Sequence, residues 1–105
     1  MQYHCRKIQS LTHGMESMSA TLMEKTDRYG EMLTDALTAA SPKDDVWAAE
    51  IMEMATAYRD DGDHFADEGD LVNALAAYSY GYGWLDAGVR MQVLDADDAS
   101  PLFTQ

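Results

Sequence analysis

The sequence has few of the residues that several common classes of protein require. Cys5 is the single cysteine among 105 residues, so the chain cannot form an internal disulfide, and a reducing cytoplasmic location is expected. No apolar run approaches the roughly 20 residues that a membrane-spanning helix needs. We therefore expect a cytoplasmic protein with no membrane partner.

Basic residues are also scarce. Seven Lys and Arg stand against 19 Asp and Glu, which gives a formal net charge of −12. Because nucleic-acid phosphates are bound mainly through Lys and Arg, this balance disfavours a nucleic-acid partner. The excess acid has two interpretations: a face for a basic partner, or adaptation to a salt-rich cytoplasm in which self-repulsion is screened. All the acids follow residue 14 and are spread along the chain, which favours the halophilic interpretation.

Composition divides the chain into three regions. Residues 1–14 contain bases but no acid and are expected to be a disordered leader. Residues 15–94 are long enough for one folded domain with a modest core. Residues 95–105 form an acidic tail, in which Leu102 and Phe103 could dock on that domain.

Apolar residues recur every three or four positions through the central region, which predicts amphipathic helices. Pro42 ends the first helix, because the residue before a proline is pushed out of the helical conformation. Gly69 suits the end of the second helix, and Asp70 suits the N-cap of the third. The expected fold is all-α, an up-down-up three-helix bundle with a tetratricopeptide-like hairpin. Its helices are expected at about 16–40, 44–68 and 71–94.

Two further expectations concern the second helix. Either Ser41 or Asp44 is expected to cap its first amide groups. Its buried stripe is expected to contain Trp47, Ile51, Met54, Tyr58 and Phe65.

The third helix has two apolar stripes, so we expect it to lie between the other two helices. Gly81, Gly83 and Gly88 each cost about 1 kcal/mol relative to alanine in a helix interior. Close approach of a neighbouring helix at these glycines would compensate. The alternation over residues 78–84 also fits a strand, but no turn signal separates it from the helical pattern before it.

The segment from Phe65 to Arg90 resembles the signature of an archaeal family known as domain of unknown function 357. That signature is a GD–VNA–A–SYAYGWLDAG–R run, and the similarity is specific from Gly69 to Arg90. Gly81 departs from it, since alanine is expected there. The resemblance implies a small, helical, archaeal, cytosolic protein with no assigned reaction. Together with the acidic composition it implies a salt-loving source.

The densest acidic stretch contains a weak candidate for a metal site. Asp60, His64 and Glu68 are four residues apart and share one helix face, but a metal needs further ligands from elsewhere. The segment Arg59–Glu68 could alternatively belong to a small metal-dependent hydrolase or ribonuclease. Five residues along a helix separate Arg59 and His64 by about 140°, which makes a shared active site hard to form. His4, Cys5 and His13 are metal-capable but lie in the expected leader.

The function that the sequence favours is a non-enzymatic protein-interaction module with no cofactor and no resident metal. We expect its surface to be a groove beside the third helix that takes a partner helix or peptide, or a second copy of the chain. The residues expected on that surface are Asn73, Tyr80, Asp86 and Arg90.

Overall fold

A computed structural model describes the backbone of residues 11–96 and the side chains of residues 21–96. Three helices pack together in an up-down-up arrangement, which confirms the all-α three-helix bundle, and a small two-stranded antiparallel sheet joins them. The elements are α1 (Leu11–Ala39), β1 (Ala40–Pro42), α2 (Ala48–Asp67), α3 (Leu71–Arg90) and β2 (Leu94–Ala96).

Helix α3 is the central element and packs against both other helices, as its two apolar stripes predict. Gly30 of α1 lies against the ring of Tyr78, and Leu33 lies against Gly81. The contacts on the two helices advance in the same direction, so α1 and α3 are parallel.

In the connection between α2 and α3, the C-terminal cap of α2 is followed directly by the N-cap of α3. Gly69 has φ +80°, and the N–H groups of Gly69 and Asp70 donate to the carbonyls of Ala66 and Phe65 at 3.0 and 2.9 Å. This is the bonding pattern of a Schellman motif. The Asp70 carboxylate then accepts from the backbone N–H of Asn73 at 3.3 Å. Gly69 therefore ends α2 and Asp70 caps α3, as expected, and the two helices form an antiparallel hairpin.

The core is built mainly from small residues with a few leucines between them. Ala48, Ala55 and Gly62 are the buried positions of α2, spaced seven apart, so one narrow line of the helix faces its neighbours. Leu33 and Leu85 are among the largest fully buried side chains. Small residues on facing helices let the backbones approach closely.

Two of the three α3 glycines lie at such close approaches. A Cβ at Gly81 would lie 2.9 Å from Leu33 Cδ2, and one at Gly88 would lie 2.7 Å from Leu94 Cδ1. Gly83 is exposed, and a Cβ there would meet nothing within 4 Å. Close approach of a neighbouring helix is therefore confirmed at Gly81, whereas the close neighbour of Gly88 is Leu94 of β2 and the expectation is wrong at Gly83.

Helix α3 ends at Arg90, so the predicted end at residue 94 is wrong. Gln92 has φ +64°, and the N–H of Val93 donates to the carbonyl of Gly88 at 2.9 Å. The chain reverses there, and Leu94 folds back over Gly88 and begins β2. Burial of Leu94 and pairing with β1 replace the last helical turn.

Helix α2 begins at Ala48, and the expected start near residue 44 is wrong. The N–H of Lys43 donates to the carbonyl of Val93 at 3.1 Å, so β2 holds this part of the chain outside the helix. Asp45 then accepts from the N–H of Trp47 at 2.8 Å.

The side chains expected to cap and bury the start of α2 do neither. Trp47 occupies the N-cap position, and no side chain caps the helix, so the Ser41 and Asp44 expectations are wrong. Trp47 is also 63% exposed instead of buried, because it precedes the first turn that packs on α3.

Helix α1 begins at Leu11, inside the segment 1–14 for which a leader is expected. Residues 1–10 and 97–105, including Leu102 and Phe103, lie outside the described residues. Among the described helices, none combines the length and apolar character needed to cross a membrane.

Candidate interaction surface

One side of the α2–α3 hairpin carries a row of large apolar side chains that face solvent. The rings of Tyr58 and Tyr80 meet edge to face, with centroids 4.9 Å apart. Trp47, the N-cap of α2, lies eleven residues before Tyr58. Trp84 of α3 and Met91, the C-cap of α3, lie four and eleven residues after Tyr80. These spacings keep each set on one side of its helix. We call Trp47, Tyr58, Tyr80, Trp84 and Met91 the aromatic stripe.

The aromatic stripe contains most of the exposed large hydrophobic side chains among the described residues. Seven large hydrophobic side chains are exposed among the described residues. Four of them belong to the stripe: Trp47, Tyr80, Trp84 and Met91. Tyr80 is 63% exposed and Met91 is 73% exposed. Single exposed apolar residues are ordinary, but several of them on one side of a molecule indicate a contact surface.

The two borders of the stripe differ in charge. On α2, Glu50 and Asp61 follow Trp47 and Tyr58 by three positions, so the carboxylates adjoin the stripe on the helix surface. Both are exposed. On α3, the corresponding positions after Tyr80 and Trp84 are Gly83 and Ala87, which carry no charge. The surface is therefore apolar along its centre, acidic on one side and neutral on the other.

The four residues expected at the interface lie at three separate places. Tyr80 is in the stripe. Asn73 donates its side-chain amide to the Asp70 carboxylate at 2.7 Å, so it helps to form the start of α3. Asp86 and Arg90 form an ion pair at 3.0 Å. Because six residues separate Tyr80 from Asp86, the two side chains point about 120° apart around α3.

Asp86 and Arg90 instead change the pKa of the neighbouring Tyr82. Burial raises the pKa of the Tyr82 hydroxyl, and the negative charge of Asp86 raises it further, while Arg90 opposes this effect. The Arg90 and Asp86 side chains are 53% and 28% exposed. Exposed pairs of this spacing contribute about 0.3–0.5 kcal/mol, so the pair is a minor stabilising contact.

The acidic stretch from Arg59 to Glu68 holds two separate side-chain contacts. His64 Nε2 lies 3.2 Å from Glu68 Oε2, and Arg59 Nη2 lies 3.2 Å from Asp60 Oδ1. His64, Glu68 and Asp60 are all mostly exposed. Among the side chains of residues 21–96, no group of three or more His, Cys, Asp or Glu residues is placed to hold a metal ion. His4, Cys5 and the side chain of His13 lie outside the described residues.

A buried tyrosine links all three helices, and the sequence analysis did not single it out. The hydroxyl of Tyr78 donates to Asp63 Oδ1 at 2.5 Å, and the ring lies between Gly30 of α1 and Gly62 of α2. Burial raises the pKa of Tyr78 strongly, the hydrogen bond and charge of Asp63 add to this, and Asp27 contributes further. The two glycines inside helices were the signal that could have revealed this contact.

The Tyr78 hydroxyl lies at one wall of a shallow, acidic cleft of about 540 Å³ between α1 and α2. Its carboxylates come from Asp27, Glu31, Asp35 and Asp63. These negative charges disfavour anionic ligands such as phosphates. The cleft is therefore part of the acidic surface of the protein.

Residues 28–94 match the family model described as protein of unknown function (DUF357). The chain belongs to this family. The DUF357 match spans Tyr78, Asp63 and the entire aromatic stripe, and it confirms the resemblance seen in the sequence. Searches of curated proteins and of solved structures returned no match. The tetratricopeptide likeness and the archaeal origin stay predictions.

Proposed function

We propose that this DUF357 protein is a non-enzymatic protein-interaction module, and that its aromatic stripe binds an amphipathic helix of a partner protein. The support is the exposure of Trp47, Tyr80, Trp84 and Met91 together with the contact between the Tyr58 and Tyr80 rings. Tryptophan and tyrosine are enriched among residues that dominate binding energy at interfaces. They combine a large apolar area with few rotatable bonds.

The shape of the surface suits a helix better than an extended peptide. Two antiparallel helices leave a shallow groove between them, and an amphipathic helix places apolar residues into such a groove every three or four positions. Trp47 and Tyr58 are eleven residues apart, which corresponds to roughly 16 Å along α2. A partner helix of about three turns would cover that length.

The charge beside the stripe favours one kind of partner helix. The acidic border formed by Glu50 and Asp61 favours Lys or Arg along one edge of the partner helix. Each copy of this chain carries a net charge of −12, so two copies repel each other. A helix with a basic edge is therefore a better fit than self-association.

The only two tryptophans of the chain, Trp47 and Trp84, both lie in the stripe, so their fluorescence reports on it directly. The probe is a synthetic amphipathic helix with leucine on one face and lysine on its edge. The comparison peptide has the same leucines with glutamate in place of lysine. We expect saturable blue-shifted emission with the lysine peptide and at least tenfold weaker binding of the glutamate peptide.

The matched variants are Tyr80→Ala in the stripe and Met23→Ala on α1, since both side chains are more than half exposed. Tyr80→Ala should weaken lysine-peptide binding by about thirtyfold, the effect of a central interface residue. Met23→Ala should change it less than twofold, and neither should lower thermal stability by much. Equal binding of both peptides, or equal effects of the two variants, would refute the proposal. Emission that depends on protein concentration without peptide would point to a second copy instead.

We also infer that the protein works in a cytoplasm rich in salt. The support is the excess of carboxylates, most of which are exposed in α1 and α2. Their mutual repulsion destabilises the folded state, and salt screens it. The free energy of unfolding should therefore rise from low salt to molar potassium chloride. A fall or no change would contradict this inference.

A further inference from the structure

A second apolar groove runs between α1 and α3, on a different side of α3 from the aromatic stripe. Its apolar walls are Tyr29 of α1 and Val72, Leu75 and Ala76 of α3, around a space of about 320 Å³. Leu75 and Tyr80 are five residues apart and so point about 140° apart around α3. Val72 is 66% exposed among the described residues.

We propose that the tail of this chain docks in this groove through Leu102 and Phe103. The proposal is independent of the proposed function, because it concerns another face of the molecule. Leu102 and Phe103 are the only large apolar residues in 97–105. Their apolar side chains suit a groove whose walls include Tyr29 and Leu75.

The direction of β2 sends the tail towards the groove. In the antiparallel pair, Leu94 lies opposite Pro42 and Ala96 lies opposite Ala40. The chain therefore enters the pair at the far end of β1 and leaves it beside Ala40, where α1 has just ended at Ala39. The following residues begin at the C-terminal end of the parallel helices α1 and α3, between which the groove lies.

The distance fits the length of the tail. Tyr29 is eleven residues before Ala40, which is roughly 16 Å along the helix. Leu102 is six residues after Ala96, and six extended residues reach about 20 Å. Leu102 can therefore reach Tyr29 if the tail runs back along α1.

The placement of lysines also fits this path. Lys25 and Lys43 are the only lysines beyond residue 7. Lys43 Nζ lies 3.6 Å from Asp95 Oδ1 in the strand pair, and Lys25 borders the groove with its Nζ 5.8 Å from the centre of the Tyr29 ring. The Lys43–Asp95 contact therefore lies in the strand pair from which the tail leaves, and Lys25 lies at the groove that the tail is proposed to reach.

The test is nuclear magnetic resonance on the full-length chain with labelled Leu, Val and Phe. We expect nuclear Overhauser effects from the Phe103 ring to the methyl groups of Leu75 and Val72. A mixture of differently labelled copies distinguishes docking within one molecule from exchange between two. No effect in the wild type, effects only between copies, or effects to the aromatic stripe instead would each overturn the proposal.

Two matched substitutions add a carboxylate at an exposed alanine, one inside the groove and one outside it. Ala76→Glu on α3 should abolish the Phe103 contacts, whereas Ala57→Glu on α2 should leave them intact. Phe103→Ala should shift the Leu75 methyl resonances and raise the unfolding equilibrium constant about tenfold, a typical single-residue effect. Survival of the contacts in Ala76→Glu, or unchanged Leu75 resonances in Phe103→Ala, would contradict the docking.

Discussion

Gly62 is the position at which the packing makes its sharpest quantitative prediction. A Cβ added there would lie 2.4 Å from Cε1 and 2.5 Å from Cδ1 of Tyr78. The ring cannot move away freely, because a Cβ at Gly30 on the opposite side would already lie 3.0 Å from it. The Tyr78 hydroxyl is held as well, by its hydrogen bond to Asp63.

Two opposing effects set the result of Gly62→Ala. Alanine is better than glycine in a helix interior by about 1 kcal/mol. Overpacking a core site costs about 1–3 kcal/mol, and a ring held on both sides belongs at the upper end of that range. We therefore expect Gly62→Ala to lower the free energy of unfolding by about 2 kcal/mol, as the difference between these effects.

Gly83 supplies the matched control, because the same substitution there meets nothing within 4 Å. Gly83→Ala has the higher helix propensity of alanine without any overpacking, so it should raise the free energy of unfolding by about 1 kcal/mol. At roughly 5 °C for each kcal/mol, the melting temperatures of the two variants should differ by about 15 °C. Urea and thermal unfolding followed by circular dichroism measure both quantities. If Gly62→Ala proved as stable as Gly83→Ala, the close packing of Tyr78 between the helices would be refuted.

Three further predictions concern stability. The raised pKa of Tyr78 means that above pH 10.0, the ordinary tyrosine value, the unfolded state loses its proton first. The free energy of unfolding should therefore fall by up to about 1.4 kcal/mol for each pH unit above that value. Urea unfolding at a series of alkaline pH values measures this dependence, and Tyr78→Phe should weaken it. A smaller dependence should remain, because the pKa of Tyr82 is raised as well. Asp70→Ala removes the N-cap of α3 and should cost about 1 kcal/mol in urea unfolding, whereas Asp70→Asn should cost little. Gly69→Ala forces a side chain onto φ +80° and should cost about 1 kcal/mol by the same measurement, despite the open space around it.

The helices and the hairpin could be predicted because their signals are local. Gly69 and Asp70 carry their conformational and capping preferences wherever they occur, and apolar spacing identifies a buried face without knowledge of what covers it. The end of α3 could not be predicted in this way. Leu94 fits the apolar period of α3, but burial against Gly88 and pairing of β2 with β1 outweigh another helical turn.

The candidate surface was predicted only in part for the same reason. Tyr80 was correctly expected to be exposed, but a sequence cannot show that Trp47 is exposed too and lies on the same side of the hairpin. Trp47 was expected in the core because large apolar residues usually are buried. Its position depends on where α2 begins, and β2 sets that start through the bond from Lys43 to Val93.

By itself, the sequence determined the class of fold, the order of the helices, the turn between α2 and α3 and the strongly acidic character, since spacing, capping and composition act over a few residues. Only the tertiary structure decided which glycines touch a neighbour, that Tyr78 joins all three helices, and which apolar side chains remain in water. Those outcomes depend on contacts between residues far apart in the chain, such as Gly30 with Tyr78 and Leu33 with Gly81. Their geometry exists only after the helices have packed.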